Sequence, residues 1–296
     1  MVQSILNDKI SLSNPQKKLW NKPSISKLDY VREIHELSPF LIRHCKNKYL
    51  TCIRYPDGVL GKFFYQKNIP SYAPPWIDSK IMSDINYINL KDERTLMWLC
   101  NLATIEFHIS FNSIKTPQKP DYIVLDLDPS EGVSFEIVRE GGLRIYEELK
   151  KLSIEAVVKT SGATGIQILI PHGNKLDYLQ GRKINRFFAE YFSKKYPKIF
   201  TIERTVKNRG KKIYFDYLQM WTGKSIIAPY SPRAREEAPI SMPLYWNELE
   251  EGITPKTFNL MNINKILVNR GDILKDYDRI YNEPLHSMVK EISKLH

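Results

Sequence analysis

The chain has 296 residues, 44 Lys+Arg against 33 Asp+Glu and a formal net charge of +11, so a polyanionic partner is the first expectation, nucleic acid ahead of a membrane surface. Seventeen Tyr and five Trp among these cations favour nucleic acid, because aromatic faces stack on bases. Three cysteines without a Cys-x-x-Cys pair exclude a disulfide framework and suggest no structural zinc, and with no long apolar run or signal pattern the chain reads as a soluble intracellular protein.

Residues 10–21 read as a polar arm. From Ser26, placed as an N-cap, Leu28, Val31, Ile34, Leu37 and Leu41 recur at helical spacing, and Pro39 is expected to bend or end that helix. Residues 50–66 read as two strands joined by the Pro56-Asp57-Gly58 turn, 85–90 as a short strand, 94–103 as a buried helix and 105–110 as a strand. The linker at 117–120 marks the expected boundary between a first lobe, 1–119, and a catalytic lobe, 120–296. The second lobe opens with a strand at 122–128, followed by a helix at 135–151, strands at 155–160 and 166–171, a helix at 178–196 and strands at 212–218 and 225–228. Strands and helices alternate without the even beat of a barrel, which predicts a two-lobed α+β (mixed α/β) fold with a central mixed sheet.

The chemistry sits in Tyr-Ile-Val-Leu-Asp-Leu-Asp-Pro at 122–129. Period-two geometry puts Asp126 and Asp128 on one face of one strand. Two anions so close in an apolar strand repel and lose hydration unless a cation compensates them, and oxygen-only ligands suit Mg²⁺ or Mn²⁺. The alternative is local: Asp128 capping the turn at Pro129–Ser130 and Asp126 accepting from a backbone amide. Asp216, in a second apolar stretch, is the candidate third carboxylate, its alternative being a salt bridge. Three such groups hold two ions about 3.5–4 Å apart, an arrangement suited to phosphoryl transfer. Ser161-Gly162-Ala163-Thr164-Gly165 offers small residues that a triphosphate could approach, or an ordinary hairpin turn. Arg209, Lys211 and Lys212 precede Asp216, and Lys224, Arg233 and Arg235 follow it, with guanidinium forks suited to phosphate oxygens.

A rival order exists. Val-Leu-Asp-Leu-Asp-Pro-Ser also resembles the opening motif of haloacid-dehalogenase-type phosphatases, with 159–162 as a second motif and Gly271-Asp272…Asp276 as a late acidic one. Asp126 would then be a nucleophile and Asp128 a general acid. That reading leaves Asp216, the neighbouring cations and the aromatic first lobe unexplained, and ranks below a metal-dependent nucleotidyltransferase.

Many segments in order, LSNPQKKLW, RYPDG, GKFFYQK, YAPPW, NLATIEFHI, DYIVLDLDPSEG, KTSGATGIQILIP, FDYLQM, IAPYSPRAR and SMPLYWNEL, resemble the primase-like polymerase domain of bacterial and archaeal non-homologous end joining. That domain, of the archaeo-eukaryotic primase superfamily, occurs alone or fused to an ATP-dependent DNA ligase. The resemblance implies that Asp126, Asp128 and Asp216 hold two Mn²⁺ or Mg²⁺ ions. It implies NTP or dNTP contacts at His108, Ser161, Gly162, Gln167, Arg209, Gln219 and Arg233, base stacking at Phe63 and Phe64, and a DNA 5′-phosphate held by Asn14, Lys17 and Lys27. Three departures stand out: Thr164 where many members carry Lys, Gln167 where they carry His, and Met220 where Asn is common. The implied function is template-directed extension of 3′ ends and gap filling in double-strand-break repair, with ribonucleotides preferred. The implied partners are gapped, overhanging or broken DNA bearing a 5′-phosphate, Ku and the ligase, in the cytoplasm on the nucleoid and with no membrane. A non-catalytic DNA-end-binding module is the alternative from another class.

Overall fold

The computed structural model describes residues 11–294, so Ile10, at the start of the expected arm, lies outside the described residues. The elements open with β1 (Lys18–Trp20), β2 (Ile25–Ser26), α1 (Lys27–Cys45), β3 (Leu50–Arg54), β4 (Phe64–Gln66), β5 (Ser79–Met82), β6 (Ile85–Ile88), α2 (Glu93–Asn101) and β7 (Thr104–Ser110). Next come β8 (Tyr122–Pro129), α3 (Phe135–Lys151), β9 (Val157–Thr160), β10 (Ile166–Pro171), α4 (Tyr178–Lys195), β11 (Phe200–Thr201) and β12 (Ile213–Phe215). The chain closes with β13 (Ser225–Ile227), β14 (Pro243–Leu244), α5 (Trp246–Glu250), α6 (Ile263–Arg270) and α7 (Glu283–Lys294). No helix among the described residues is long and apolar enough to cross a membrane.

Ser26 caps α1 reciprocally: its hydroxyl accepts from the Asp29 amide at 3.1 Å, and the Asp29 carboxylate accepts from the Ser26 amide at 3.0 Å. The helix buries Tyr30, Val31, Ile34, Leu37, Leu41 and Cys45 and does not end at Pro39, contrary to one of the two outcomes expected there. A missing N–H and a ring clash cost about 3 kcal/mol. Burying Leu41 and Cys45 beyond the proline returns a comparable amount, at about 1.5–3 kcal/mol for a large apolar side chain.

The chain divides into two units. The first comprises the described part of Met1–Ser110 with Ser225–Met242 and Lys256–Asp272. Its sheet runs β13-β7-β3-β6-β5, with β4 also paired to β3, and every pairing is antiparallel. The connection between β3 and β4 is longer than a tight hairpin, although its turn forms as expected, with the Gly58 amide on the Tyr55 carbonyl at 3.0 Å. Gly58 has φ +81, and a Cβ there would lie 3.0 Å from the Leu19 carbonyl oxygen.

The second unit comprises Phe111–Lys224, Pro243–Pro255 and the described part of Ile273–His296. Its sheet runs β11-β12-β8-β10-β9-β14 and is mixed, because β11 and β12 pair in parallel while the rest pair antiparallel. This is the mixed sheet that bears the carboxylates. Ile123, Leu125, Leu127, Ile168 and Ile170 are fully buried in it. Asn282, just before α7, pins the chain to this sheet: its carbonyl accepts from the Glu155 amide at 2.8 Å, and its amide donates to the Glu155 and Pro171 carbonyls, both at 2.9 Å.

The change of unit falls between Ser110 and Phe111, ahead of the 117–120 linker, and 225–242 and 256–272 return to the first unit. The cause is long-range pairing, Ser225, Ile226 and Ile227 lying opposite Ser110, Ile109 and His108.

Candidate active site

In the second unit, one carboxylate oxygen from each of Asp126, Asp128 and Asp216 lies within 4.8 Å of the others. The strand β8 brings the first two to one face, and Asp216 follows β12, whose register sets Tyr214 opposite Asp128. The Asp216 amide donates to the Asp126 carbonyl at 2.9 Å, which ties the backbones together. The Asp216 carboxylate is oriented by the Leu218 amide at 3.1 Å and by the Tyr214 hydroxyl at 3.4 Å. Burial is graded: Asp126 is 6% exposed, Asp216 half-buried and Asp128 exposed.

The electrostatics suit a cation. Burial, followed by the charge of Asp128, pushes the Asp126 carboxyl well above its ordinary range, while the Gln167 hydrogen bond works against the shift. Burial and then Asp216 push the Tyr214 hydroxyl up to about 12. Gln167 lies directly opposite Asp126 in the β8–β10 register and donates its amide to the carboxylate at 3.0 Å, so here it touches a candidate metal ligand. Its own buried Oε1 has no hydrogen-bond partner among the described residues. Lys159, 1% exposed, lies opposite Gln167 on the next strand, on the same sheet face. Three clustered carboxylates fit a divalent ion, with Asp126, Asp128 and Asp216 as its ligands.

The 161–165 turn adjoins the trio. The Ser161 hydroxyl accepts from the Ala163 amide at 3.2 Å and the Gly165 amide at 3.1 Å, and Gly162 has φ +71. A Cβ on Gly165 would lie 2.4 Å from the Leu127 carbonyl oxygen and 3.4 Å from an Asp128 carboxylate oxygen, so this turn passes against the strand that carries the acids. Arg209 stands nearby along the chain, its guanidinium 3.6 Å over the Tyr214 ring and its nitrogens donating to the Glu203 and Arg204 carbonyls at 3.0 and 3.1 Å. The Gln219 amide donates to the Asp216 carbonyl at 3.3 Å. Met220 is buried, with the Asn185 amide 3.8 Å from its sulfur, so this departure is absorbed by packing.

The first unit gathers a second set. His108 Nε2 donates to Glu106 Oε2 at 3.0 Å, and Arg233 Nη1 lies 3.2 Å from the same oxygen. Burial alone would raise the Glu106 carboxyl, but the His108 hydrogen bond and the Arg233 charge hold it below its usual range. Sequence reasoning passed over Glu106, although an acid two residues before a histidine in an apolar strand shares its face. Phe63 and Phe64 are 53% and 44% exposed, against a core role; Phe63 stacks on Tyr55, and the Arg54 guanidinium lies 4.9 Å over Phe64. In the arm, Asn14 accepts the Lys17 amide at 3.0 Å on its carbonyl, and Lys17 pairs with Asp57 at 2.8 Å. Lys27 is buried and donates to the Ser13 carbonyl and hydroxyl at 2.7 and 2.9 Å. Burial, then Lys17 and Arg54, pull its ammonium down to about 8.

Neither of the phosphatase reading's late acids, Asp272 or Asp276, joins the cluster of Asp126, Asp128 and Asp216. Asp272 is held in the first unit by the Tyr230 hydroxyl at 2.8 Å and His44 at 3.0 Å, and the third acid beside Asp126 and Asp128 is Asp216. Three carboxylates on a mixed sheet beside a small-residue turn suit metal-dependent transfer of a nucleotidyl group. The chain belongs to the family described as LigD, primase-polymerase domain, which matches residues 26–274. It is 34% identical over 291 residues to the bifunctional non-homologous end joining protein LigD of Bacillus subtilis (strain 168), covering 98% of this chain and 48% of that protein. It is 27% identical over 258 residues to the multifunctional non-homologous end joining protein LigD of Pseudomonas aeruginosa, covering 86% of this chain and 31% of that protein. The chain thus spans about half, or less, of the length of these relatives. A solved polymerase domain from Mycobacterium tuberculosis Ligase D in complex with DNA has the same fold, with a TM-score of 0.82, 23% identity, and coverage of 91% of this chain and 98% of that one.

Proposed function

We propose that the chain is a template-directed polymerase that extends 3′ ends and fills gaps during double-strand-break repair by non-homologous end joining. The observation that carries this reading is the Asp126, Asp128 and Asp216 trio beside the 161–165 turn. Bound by these carboxylates, two Mn²⁺ or Mg²⁺ ions would neutralise phosphate charge and make the primer 3′-hydroxyl a better nucleophile. Gln167 orients Asp126, Leu218 and Tyr214 orient Asp216, and no side-chain base is required.

By resemblance, His108, Ser161, Gly162, Gln167, Arg209, Gln219 and Arg233 are the contacts to triphosphate or sugar. Phe63 and Phe64 offer exposed faces for a base. Asn14, Lys17 and Lys27 take the 5′-phosphate. Partners are gapped, overhanging or broken DNA, Ku and an ATP-dependent ligase, on the nucleoid in the cytoplasm. By resemblance, ribonucleotides are preferred; a polar partner left unpaired at the sugar would cost about 1–3 kcal/mol.

The test is incubation with primed, gapped, 5′-phosphorylated DNA, Mn²⁺ and NTP or dNTP. Templated extension with ribonucleotides preferred is expected. Binding without extension would instead make the chain a DNA-end-binding module, and a strict dNTP preference would remove the sugar assignment.

A further inference from the structure

One buried carboxylate in the first unit gathers side chains that the polymerase reading uses separately. Glu106 is 4% exposed and lies on β7. Its Oε2 takes His108 Nε2 at 3.0 Å and Arg233 Nη1 at 3.2 Å, and its Oε1 takes the Ala234 amide at 3.0 Å and the Tyr55 hydroxyl at 3.5 Å. An ionised carboxylate has about four lone-pair sites and no donor, so four donors from three chain segments saturate it. Tyr55 then turns its ring away from this hub: the ring stacks on Phe63 with centroids 5.4 Å apart and planes at 28°. Phe63 in turn meets Tyr65 edge-on at 6.0 Å. A single side chain thus connects the buried acid to an exposed aromatic surface.

We propose that Glu106 is a positioning residue for nucleotide binding, setting the His108 imidazole and the Arg233 guanidinium and tying both to the Phe63 face through Tyr55. It rests on the reading of His108 and Arg233 as nucleotide contacts. The carboxylate form is required at this point. A glutamine would turn an N–H donor toward either the His108–Arg233 pair or the Tyr55–Ala234 pair, and lose two acceptor sites. The competing account is that Glu106 is a buried ion-pair partner that only holds β7 against the 231–234 segment, where the Phe107 amide donates to the Ser231 hydroxyl at 2.9 Å.

A mutant cycle separates the two accounts. KM for NTP and kcat are measured on primed gapped DNA with Mn²⁺ for Glu106→Gln and Tyr55→Phe. Each is made in the wild type and in a His108→Ala/Arg233→Ala background, with melting temperature followed throughout. Loss of charge-assisted bonds raises KM about tenfold for Glu106→Gln, with kcat within about twofold. Tyr55→Phe, which keeps the ring on Phe63, raises KM about threefold. In the double background both effects fall below about twofold, because the groups through which Glu106 acts are gone. Equal effects in the two backgrounds overturn the positioning role and leave a structural ion pair. If Glu106→Gln does not fold, Tyr55→Phe decides alone: an unchanged KM in the wild type overturns the proposal. An unchanged KM in His108→Ala/Arg233→Ala itself overturns the nucleotide-contact reading, and this inference with it.

Discussion

Replacing Asp126 with Asn separates what this carboxylate does for the fold from what it does for the chemistry. Asp126 is 6% exposed, takes one side-chain donor from Gln167, and has oxygens of Asp128 and Asp216 within 4.8 Å. Burial and then Asp128 raise its pKa above the unfolded value. A carboxyl raised in this way contributes stability below its unfolded pKa, and that contribution is lost as pH rises through the folded pKa. In metal-free protein at neutral pH, Asp126 therefore destabilises the fold. Asn has the same shape, keeps an acceptor for the Gln167 amide and can donate to the remaining two carboxylates. Asp126→Asn in EDTA should be more stable by about 1–2 kcal/mol, a rise in melting temperature of about 2–4 °C per kcal/mol. The advantage narrows as pH is lowered and wild-type Asp126 takes up its proton. With Mn²⁺ at about a hundred times its dissociation constant, wild type gains about 2.7 kcal/mol and the variant gains little. Extension from a primed gap is lost. Calorimetry with EDTA and with Mn²⁺, across pH, is the assay. A lower metal-free melting temperature for the variant, or an Mn²⁺ shift equal to that of wild type, refutes the reasoning.

Gly165→Ala places a Cβ 2.4 Å from the Leu127 carbonyl, a backbone atom that cannot swing aside; urea unfolding should show a loss of about 1–3 kcal/mol, and extension should fall with it. Unchanged stability would mean the turn does not press on β8. Because Lys27 loses its proton at about 8, preference for 5′-phosphate over 5′-hydroxyl gapped DNA should be full below pH 8 and fade above it. Lys17→Ala/Lys27→Ala should abolish that preference at every pH, whereas a wild type that binds both DNAs equally at neutral pH would remove the phosphate site. Phe64→Ala strips the exposed ring over which Arg54 lies, and should weaken templated nucleotide addition by about 1–3 kcal/mol per stacked base, read as a rise in KM; no change would assign the ring to the surface alone.

Legibility in the sequence followed the range of the interaction. Helices at 135–151 and 178–195 and the strands at 122–129 and 166–171 announce themselves through local periodicity, and so does the shared face of Asp126 and Asp128. Asp216 stood out as a lone acid in an apolar run, although it lies just past the strand end and not within it. The Gln167 contact to Asp126 was not legible, because only the β8–β10 register sets the two opposite each other. Glu106, Tyr55 and Arg233 are far apart in sequence, and no local pattern brings them together. Pro39 misled in part because its local penalty is outweighed by tertiary burial beyond it.

The return of Ser225–Ile227 to the first unit has a bearing on how the protein is made. The strand β7 is complete once Ser110 has left the ribosome, but β13, which pairs with its 108–110 end on the edge away from β3, arrives about 115 residues later. At ordinary synthesis speeds of about 5–20 residues per second, that edge waits on the order of ten seconds. Throughout this interval the backbone of β7 is open to any extended chain that can pair with it. The interval coincides with emergence of the entire carboxylate-bearing stretch, from Asp126 to Asp216, which belongs to the other sheet. Its own apolar strands, 122–129 and 166–171, pair with each other in that sheet and so take up their own edges.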